Sequence, residues 1–272
     1  MGDYEGAPVA AADLALRGPR GDVYQGVSFT GEPGQLVALV GESGSGRTSL
    51  LLSVAGRMRP SGGEATVAGL PLPRRAAAVR KVVALGAVAG VNDLDGGLTV
   101  EEHLTERLLL RSHGRRAHRR VTAAIDAAGL TRAELPLRAD SLSALQAFRT
   151  SLAAALIGRP RVLAVDDVGD RLSDAERDAA WATLRALADA GLTVLATTRQ
   201  APADARADVV VALGEAHAAA PESATPEPAR SASAGPEPAG PESTAPQSAP
   251  ARSNGSDTEN DTADLEGGVD DE

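Results

Sequence analysis

Apolar positions along the chain fall into short continuous runs, separated by longer stretches in which they recur every three or four residues. Short, largely apolar runs are typical of buried parallel strands, and three stand at 36–40, 161–165 and 192–197. The helical spacing predicts four helices, at 101–110, 118–128, 147–157 and 175–190. Strands that alternate with helices of this length predict an α/β fold, with a mainly parallel sheet and helices on both faces.

Three further strands are predicted where the apolar pattern is weaker. They are 23–29, 64–68 and 81–88. The first is joined to the run 36–40 by Thr-Gly-Glu-Pro-Gly at 30–34, a strong turn signal. The segment 49–55 is predicted to be helical, so a strand, a glycine-rich loop and a helix follow one another in that order.

Charge and composition separate a carboxy-terminal tail from the rest. Residues 215–272 hold 13 of the chain's 37 acidic residues but only two of its 27 basic residues, so 24 acidic and 25 basic residues precede them. Because the tail is rich in Pro, Ala, Ser, Glu and Gly and poor in large apolar side chains, we expect it to be disordered. An inert solvated tail and an interaction tail both remain open. The rest of the chain is close to neutral.

Several function classes are disfavoured by composition. The chain has no cysteine, which excludes disulfides and thiolate metal sites and fits a reducing compartment. No segment is long and apolar enough to span a bilayer, and no signal peptide is recognisable at the start. A basic cluster at 111–120 contains no aromatic residues, so we expect no nucleic-acid binding. The cluster is interpreted as a solvated loop, with contact to anionic lipid as the alternative.

The segment after the run 36–40 matches the phosphate-binding loop (P-loop) pattern G-x-x-x-x-G-K-[ST] except at one position. Glycines let the backbone turn tightly, so that successive N–H groups point at phosphate oxygens. Thr48 is placed to offer its hydroxyl to Mg²⁺, and position 47 to reach the β- and γ-phosphates. The candidate nucleotide-binding residues are Gly41, Glu42, Ser43, Gly44, Ser45, Gly46, Arg47, Thr48 and Ser49.

Arginine stands at position 47, where the pattern has lysine. The positive charge is kept, but a planar fork replaces a compact ammonium group, so the exchange is not conservative at a tight site. Lys81 is the only lysine in the chain, and drift in an arginine-favouring genome is an alternative explanation for Arg47.

Two acidic residues directly follow the apolar run 162–165. In a parallel sheet the end of such a strand lies beside the P-loop. Asp166 is therefore predicted to organise the Mg²⁺ shell, and Asp167 to act as general base or to position water. The alternative is that both only open a polar loop.

Over roughly residues 12–213 the sequence resembles the ATP-binding cassette of ABC transporters. The resemblance rests on the order and spacing of the P-loop, the acidic strand end and several connecting segments. Those segments are 26–34, 56–69, 98–104 and 159–163. It implies a P-loop NTPase (RecA-like) core with an antiparallel β subdomain and a small α-helical subdomain at about 92–158. The cassette domain is expected at 12–214, after an N-terminal extension at 1–11 and before the tail.

At the family's catalytic motifs, the residues of this sequence match less well. The family's Leu-Ser-Gly-Gly-Gln signature is Leu-Ser-Ala-Leu-Gln at 142–146, which leaves Ser143 and Gln146 as possible nucleotide contacts. The glutamine that meets Mg²⁺ falls at about Gly90, with Asn92 or Asp93 as substitutes if the loop shifts.

Three further positions also depart from the family. The catalytic glutamate is Asp167, and the switch histidine is Arg199. The loop aspartate after the acidic strand is displaced, with Ser-Asp at 173–174. The aromatic residue that stacks on adenine is missing, and Tyr24 is the nearest candidate.

The resemblance implies an ATP-binding subunit that uses ATP and Mg²⁺ and works with a membrane permease on a separate chain. A second cassette, in a homodimer or heterodimer, would complete the nucleotide site. The expected location is cytoplasmic, at the inner face of the cell membrane. The altered motifs predict slow or impaired hydrolysis. The alternatives are a non-hydrolysing regulatory or scaffolding subunit, and a soluble cassette protein with a role outside transport.

Overall fold

The computed structural model describes residues 4–111, 117–202 and 206–214, which all belong to one structural unit. The tail at 215–272, predicted to be disordered, lies outside the described residues, as does much of the basic cluster at 111–120. Among the described residues, no helix is long and apolar enough to cross a membrane.

The described residues form nine strands and six α-helices. The strands are β1 (Val9–Gly18), β2 (Gly21–Gly31), β3 (Leu36–Val40), β4 (Gly62–Val67), β5 (Leu70–Leu72), β6 (Val83–Leu85), β7 (Val162–Val165), β8 (Thr193–Thr198) and β9 (Val209–Ala212). The helices are α1 (Arg47–Val54), α2 (Ala76–Val82), α3 (Val100–Arg111), α4 (Ala117–Ala128), α5 (Ala144–Leu156) and α6 (Asp174–Asp189).

The larger sheet is parallel throughout, with strand order β6-β7-β8-β3-β9. Successive residues of each strand face opposite sides, so Leu36 and Ala38 join one hydrophobic cluster and Val37 and Leu39 the other. The first cluster includes residues of α3 to α6, and the second includes residues of α1, α2 and the smaller sheet. The predicted parallel sheet with both faces covered is confirmed.

The smaller sheet is antiparallel, in the order β2-β1-β4-β5. It confirms the antiparallel subdomain that the family resemblance implies. Strand β1 begins at Val9, inside the segment 1–11 expected to be an extension, and Ala7 before it is already buried. The apolar alternation of β1 is hard to read because the strand is rich in alanine and its register shifts after Ala11 and Leu14.

Two predicted boundaries were wrong for identifiable reasons. Residues 81 and 82 end helix α2, so the strand predicted at 81–88 is only the three residues of β6. Helix α5 begins at Ala144, three residues earlier than predicted, because Ser143 caps it. Strand β9 was not predicted.

The helical subdomain consists of α3, α4 and the first part of α5. Its apolar residues, among them Leu104, Ile125 and Phe148, join the same cluster that covers one face of the parallel sheet. The segment 142–146, at the start of α5, is therefore supported by packing against this hydrophobic cluster.

Candidate nucleotide-binding site

The P-loop connects the end of β3 to the start of α1. Gly46 is the N-cap of the helix, with φ of 87°, and a Cβ atom there would lie 2.3 Å from the carbonyl oxygen of Val23. Both facts demand glycine. The chain thus turns directly from a buried strand into a helix whose first N–H groups are free to bind an anion.

Two buried polar groups of this loop have no hydrogen-bond partner. Ser45 is 2% exposed, and its Oγ is unpaired. Arg47 is 7% exposed, and its Nη1 is unpaired. A buried donor without a partner costs about 1–3 kcal/mol, and more when it is charged. Two such groups within three residues, at a helix N-terminus, fit an anionic ligand such as a phosphate chain.

Thr48 and Asp166 stand at the predicted metal position. The Thr48 hydroxyl donates to Asp166 Oδ2 at 2.7 Å, which joins the start of α1 to the end of β7. The other Asp166 oxygen accepts from the hydroxyl of Thr197 on β8. Among the described residues, no cluster of three or more His, Cys, Asp or Glu could hold a metal on its own. One carboxylate and one hydroxyl suit Mg²⁺, which is usually bound together with substrate phosphates and water.

Asp167 is paired with the P-loop arginine. Its Oδ1 lies 2.8 Å from Arg47 Nη2, and its backbone N–H donates to Thr197 Oγ1 at 2.7 Å. Burial raises the pKa of the Asp167 carboxyl, and the neighbouring Asp166 carboxylate raises it further, against the opposing effect of Arg47. One oxygen of the predicted base is therefore held by a cation.

Thr197 was missed as a site residue. It is fully buried, and its hydroxyl contacts both acidic residues. The only sequence signal was its place near the end of a strand next to the acidic one.

Arg199, at the predicted switch position, forms an ion pair with Asp170. Its side chain is 55% exposed. Ser173 caps α6 through a reciprocal pair of hydrogen bonds with Glu176, and Asp174 pairs with Arg177. The residues after the acidic strand are thus engaged within their own loop and helix.

Ser143 and Gln146 form the same kind of reciprocal capping box at the start of α5. The Gln146 side chain also donates to Glu134 at 2.9 Å. Ala144 and Leu145 separate the two residues, where the family has glycines. Their role as nucleotide contacts stays a prediction, because this structure gives them a structural role in one chain.

The side chains proposed as substitutes for the missing glutamine face their own loop. Asn92 accepts from the backbone of Val88 at 3.0 Å and donates to the carbonyl groups of Leu85 and Gly86. Asp93 accepts from the backbone of Gly90 at 2.8 Å. Neither is directed at a ligand in this arrangement.

Tyr24 is a poor candidate for adenine stacking. It is 4% exposed, and its hydroxyl donates to Ser53 at 2.7 Å, so its ring packs in the core. A cavity of about 550 Å³ instead lies between the β1–β2 turn and the P-loop. Its lining includes Pro19 and Arg20 from the turn, and Glu42, Ser43 and Gly44 from the loop.

Ser49, the last of the predicted nucleotide-binding residues, belongs to the first turn of α1. Its carbonyl group accepts a hydrogen bond from the hydroxyl of Ser53.

Comparison with known proteins agrees with this geometry. A family model described as ABC transporter matches residues 24–168, which is more than half of the chain. Nod factor export ATP-binding protein I of Rhizobium meliloti (strain 1021) is 34% identical over 198 residues. That match covers 70% of this chain and 57% of the relative, so the chain spans little more than half the length of that protein.

Two solved structures resemble the fold at low sequence identity. A dimeric bacterial ABC transporter cassette is 18% identical, with a TM-score of 0.66, over 76% of this chain and 95% of its own. The protein cbiO1 of Clostridium perfringens, part of the ABC transporter complex cbiONQ, is 19% identical, with a TM-score of 0.67, over 76% and 85%. These two likenesses establish the fold, and the match of the family model to more than half of the chain establishes the family: the chain belongs to the ABC transporter family, and its described residues form an ATP-binding cassette.

Proposed function

We propose that this chain is the ATP-binding subunit of an ABC transporter, which binds Mg-ATP and couples cassette closure to a membrane permease on a separate chain. The observation that carries the proposal is the pair of buried, unpartnered polar groups, Ser45 Oγ and Arg47 Nη1, at the glycine-bounded start of α1. A retained fold alone would not require two buried, unpartnered polar groups at the P-loop.

Each component of the site has a separate role in nucleotide binding. The backbone N–H groups at the start of α1 and the Arg47 guanidinium would bind the phosphates. Thr48 and Asp166 would hold Mg²⁺, which on binding neutralises phosphate charge. The cavity beside Arg20, which is also lined by residues of the P-loop, would receive the nucleotide base.

The partners are proposed from the relatives. One relative is named as an export ATP-binding protein, one solved cassette is dimeric, and another is part of a complex. By analogy, this chain would pair with a second cassette and act at the inner face of the cell membrane. The closure of the two cassettes on nucleotide would then drive the permease.

Hydrolysis is proposed to be slow. Asp167 is held by Arg47, Arg199 by Asp170, and Asn92 by its own loop. Removal of one preorganised catalytic group typically costs about 10²–10³ in rate. These same contacts favour a second candidate, a non-hydrolysing pseudo-ATPase that acts as a regulatory or scaffolding subunit.

Calorimetric titration of the full chain with Mg-ATP tests the main proposal. Saturable binding is expected, and Thr48→Val, which replaces the hydroxyl with a methyl group of similar size, is expected to weaken it about tenfold when Mg²⁺ is present and little when it is not. Equal affinity of the variant and the wild type in Mg²⁺ would contradict the proposed metal position. Absence of binding to the wild type would leave the scaffolding candidate.

An ATPase assay separates the two candidates. A measurable turnover that Asp167→Asn abolishes would exclude the pseudo-ATPase. Binding without any turnover, in the presence of a purified partner cassette, would favour it.

A further inference from the structure

The guanidinium of Arg47 has two terminal nitrogens in different situations. Nη2 lies 2.8 Å from Asp167 Oδ1, whereas Nη1 is buried and has no partner. The side chain is only 7% exposed, so solvent does not compensate Nη1. A charged donor left in this state is destabilising unless an acceptor is supplied from outside the chain.

The surroundings indicate what kind of acceptor fits. Arg47 is the first residue of α1, where free N–H groups and the helix dipole favour an anion. Ser45, two residues earlier, contributes a second buried group without a partner. Asp167 already accepts from Nη2, so the remaining nitrogen is available to a further oxyanion such as phosphate.

We propose that Arg47 is a two-sided clamp, in which Nη2 keeps Asp167 as a counter-ion while Nη1 binds a phosphate of the nucleotide. This inference rests on the proposed nucleotide binding and adds a role for each nitrogen. In nucleotide binding, Asp167 then acts as a positioning residue that orients the guanidinium.

The planar fork of arginine makes this arrangement possible. Its five N–H donors point in fixed, divergent directions, so one side chain can serve a carboxylate and a phosphate together. A lysine offers a single ammonium group, a compact point charge that the two anions would have to share. With lysine at position 47, phosphate and Asp167 would therefore compete for one charge.

Two substitutions in combination test the clamp. The affinity of the full chain for Mg²⁺ with the non-hydrolysable analogue AMP-PNP, and for Mg-ADP, is measured by calorimetry in the wild type, Arg47→Lys, Asp167→Asn and the double variant. Folding of each protein is checked by circular dichroism and thermal unfolding. Asp189→Asn, which removes an equally charged and 67% exposed partner of a different arginine, controls for the change in net charge.

The clamp predicts that the effect of Asp167→Asn depends on residue 47. With Arg47 present, loss of the carboxylate charge is expected to change affinity less than about threefold, since Nη1 is available in either case. With lysine present, it is expected to tighten binding about tenfold, because the competition is removed. A tenfold coupling corresponds to about 1.4 kcal/mol.

Two results would overturn the clamp. Equal effects of Asp167→Asn in the two backgrounds would show that Arg47 does not join the groups. Tightening of tenfold or more with Arg47 present would show that arginine must release Asp167 to bind phosphate. In both cases the nucleotide binding itself survives, whereas absence of binding to the wild type would overturn this inference and the proposed function together.

Discussion

The hydroxyl of Ser143 accepts a hydrogen bond from the backbone N–H of Gln146 at 3.2 Å, and the Gln146 side chain accepts one from the backbone N–H of Ser143 at 2.9 Å. The two bonds satisfy two donors that the start of α5 would otherwise leave free. This explains on structural grounds why serine and glutamine stand at these positions while the glycines between them are replaced. Their presence is therefore weak support for nucleotide contact.

Ser143→Ala is expected to destabilise the fold by about 1 kcal/mol, as loss of an N-cap usually does. Ser143→Asn retains an N-cap acceptor and is expected to stay within about 0.5 kcal/mol of the wild type. The measurement is the urea midpoint of unfolding of the two variants. Equal midpoints for the wild type and the alanine variant would show that the cap contributes nothing.

Much of the fold could be predicted because its signals are local. The uniform apolar runs of β3, β7 and β8 mark buried parallel strands, and glycine or proline follows most helices. Strand β1 lacks such a signal, since its register shifts interrupt the alternation. The start of α5 was missed because Ser143 was interpreted through the family signature rather than as a cap.

The candidate site could likewise be predicted only in part. The P-loop and the two acidic residues could be located, because their residue types and spacing are specific. The contact between Arg47 and Asp167 could not, because it joins residues that are far apart in sequence and depends on the order of strands in the sheet. Sequence gives the chemistry of Asn92 but not the direction of its side chain.

Gly44 and Gly46 offer a matched test of the P-loop. Both have positive φ, 86° and 87°, so alanine at either position is strained by about 1–2 kcal/mol. A Cβ at Gly44 meets nothing within 4 Å, whereas one at Gly46 lies 2.3 Å from Val23 O. Gly46→Ala is therefore expected to cost about 1–3 kcal/mol more than Gly44→Ala in thermal or urea unfolding. Similar losses for both would contradict the close approach of β2.

The surroundings of Asp208 predict that the free energy of unfolding decreases at acid pH. Desolvation alone would raise its pKa, but the backbone N–H of Leu36, at 2.7 Å, and the guanidinium of Arg185, at 2.6 Å, lower it below the ordinary value of 3.8. A carboxylate whose pKa is lower in the folded than in the unfolded protein stabilises the fold. The stabilisation is complete at pH values above the unfolded pKa, and it is lost as the pH falls through the folded pKa.

Asp208→Asn should therefore be less stable than the wild type at pH 7. Because the side chain is 35% exposed, a difference of about 1 kcal/mol is expected. Urea unfolding from pH 7 to pH 3 measures it, and the gap between the two proteins should narrow as the wild-type carboxylate is protonated. A gap that stays constant over this range would contradict the assignment. Asp189→Asn, which removes another carboxylate from the same arginine, controls for the loss of one exposed ion pair.

Asn92 distinguishes a structural loop residue from a substitute for the missing glutamine. Alanine at this position would leave the N–H of Val88 and the carbonyl groups of Leu85 and Gly86 without their side-chain partner. The expected loss of stability is about 1–3 kcal/mol, while the affinity for Mg²⁺ with AMP-PNP should change little. Asp93→Ala removes one exposed hydrogen bond from the same loop and should cost less than about 1 kcal/mol. The opposite pattern, with unchanged stability and affinity lowered tenfold, would mean that the loop rearranges when nucleotide binds and turns Asn92 toward the metal.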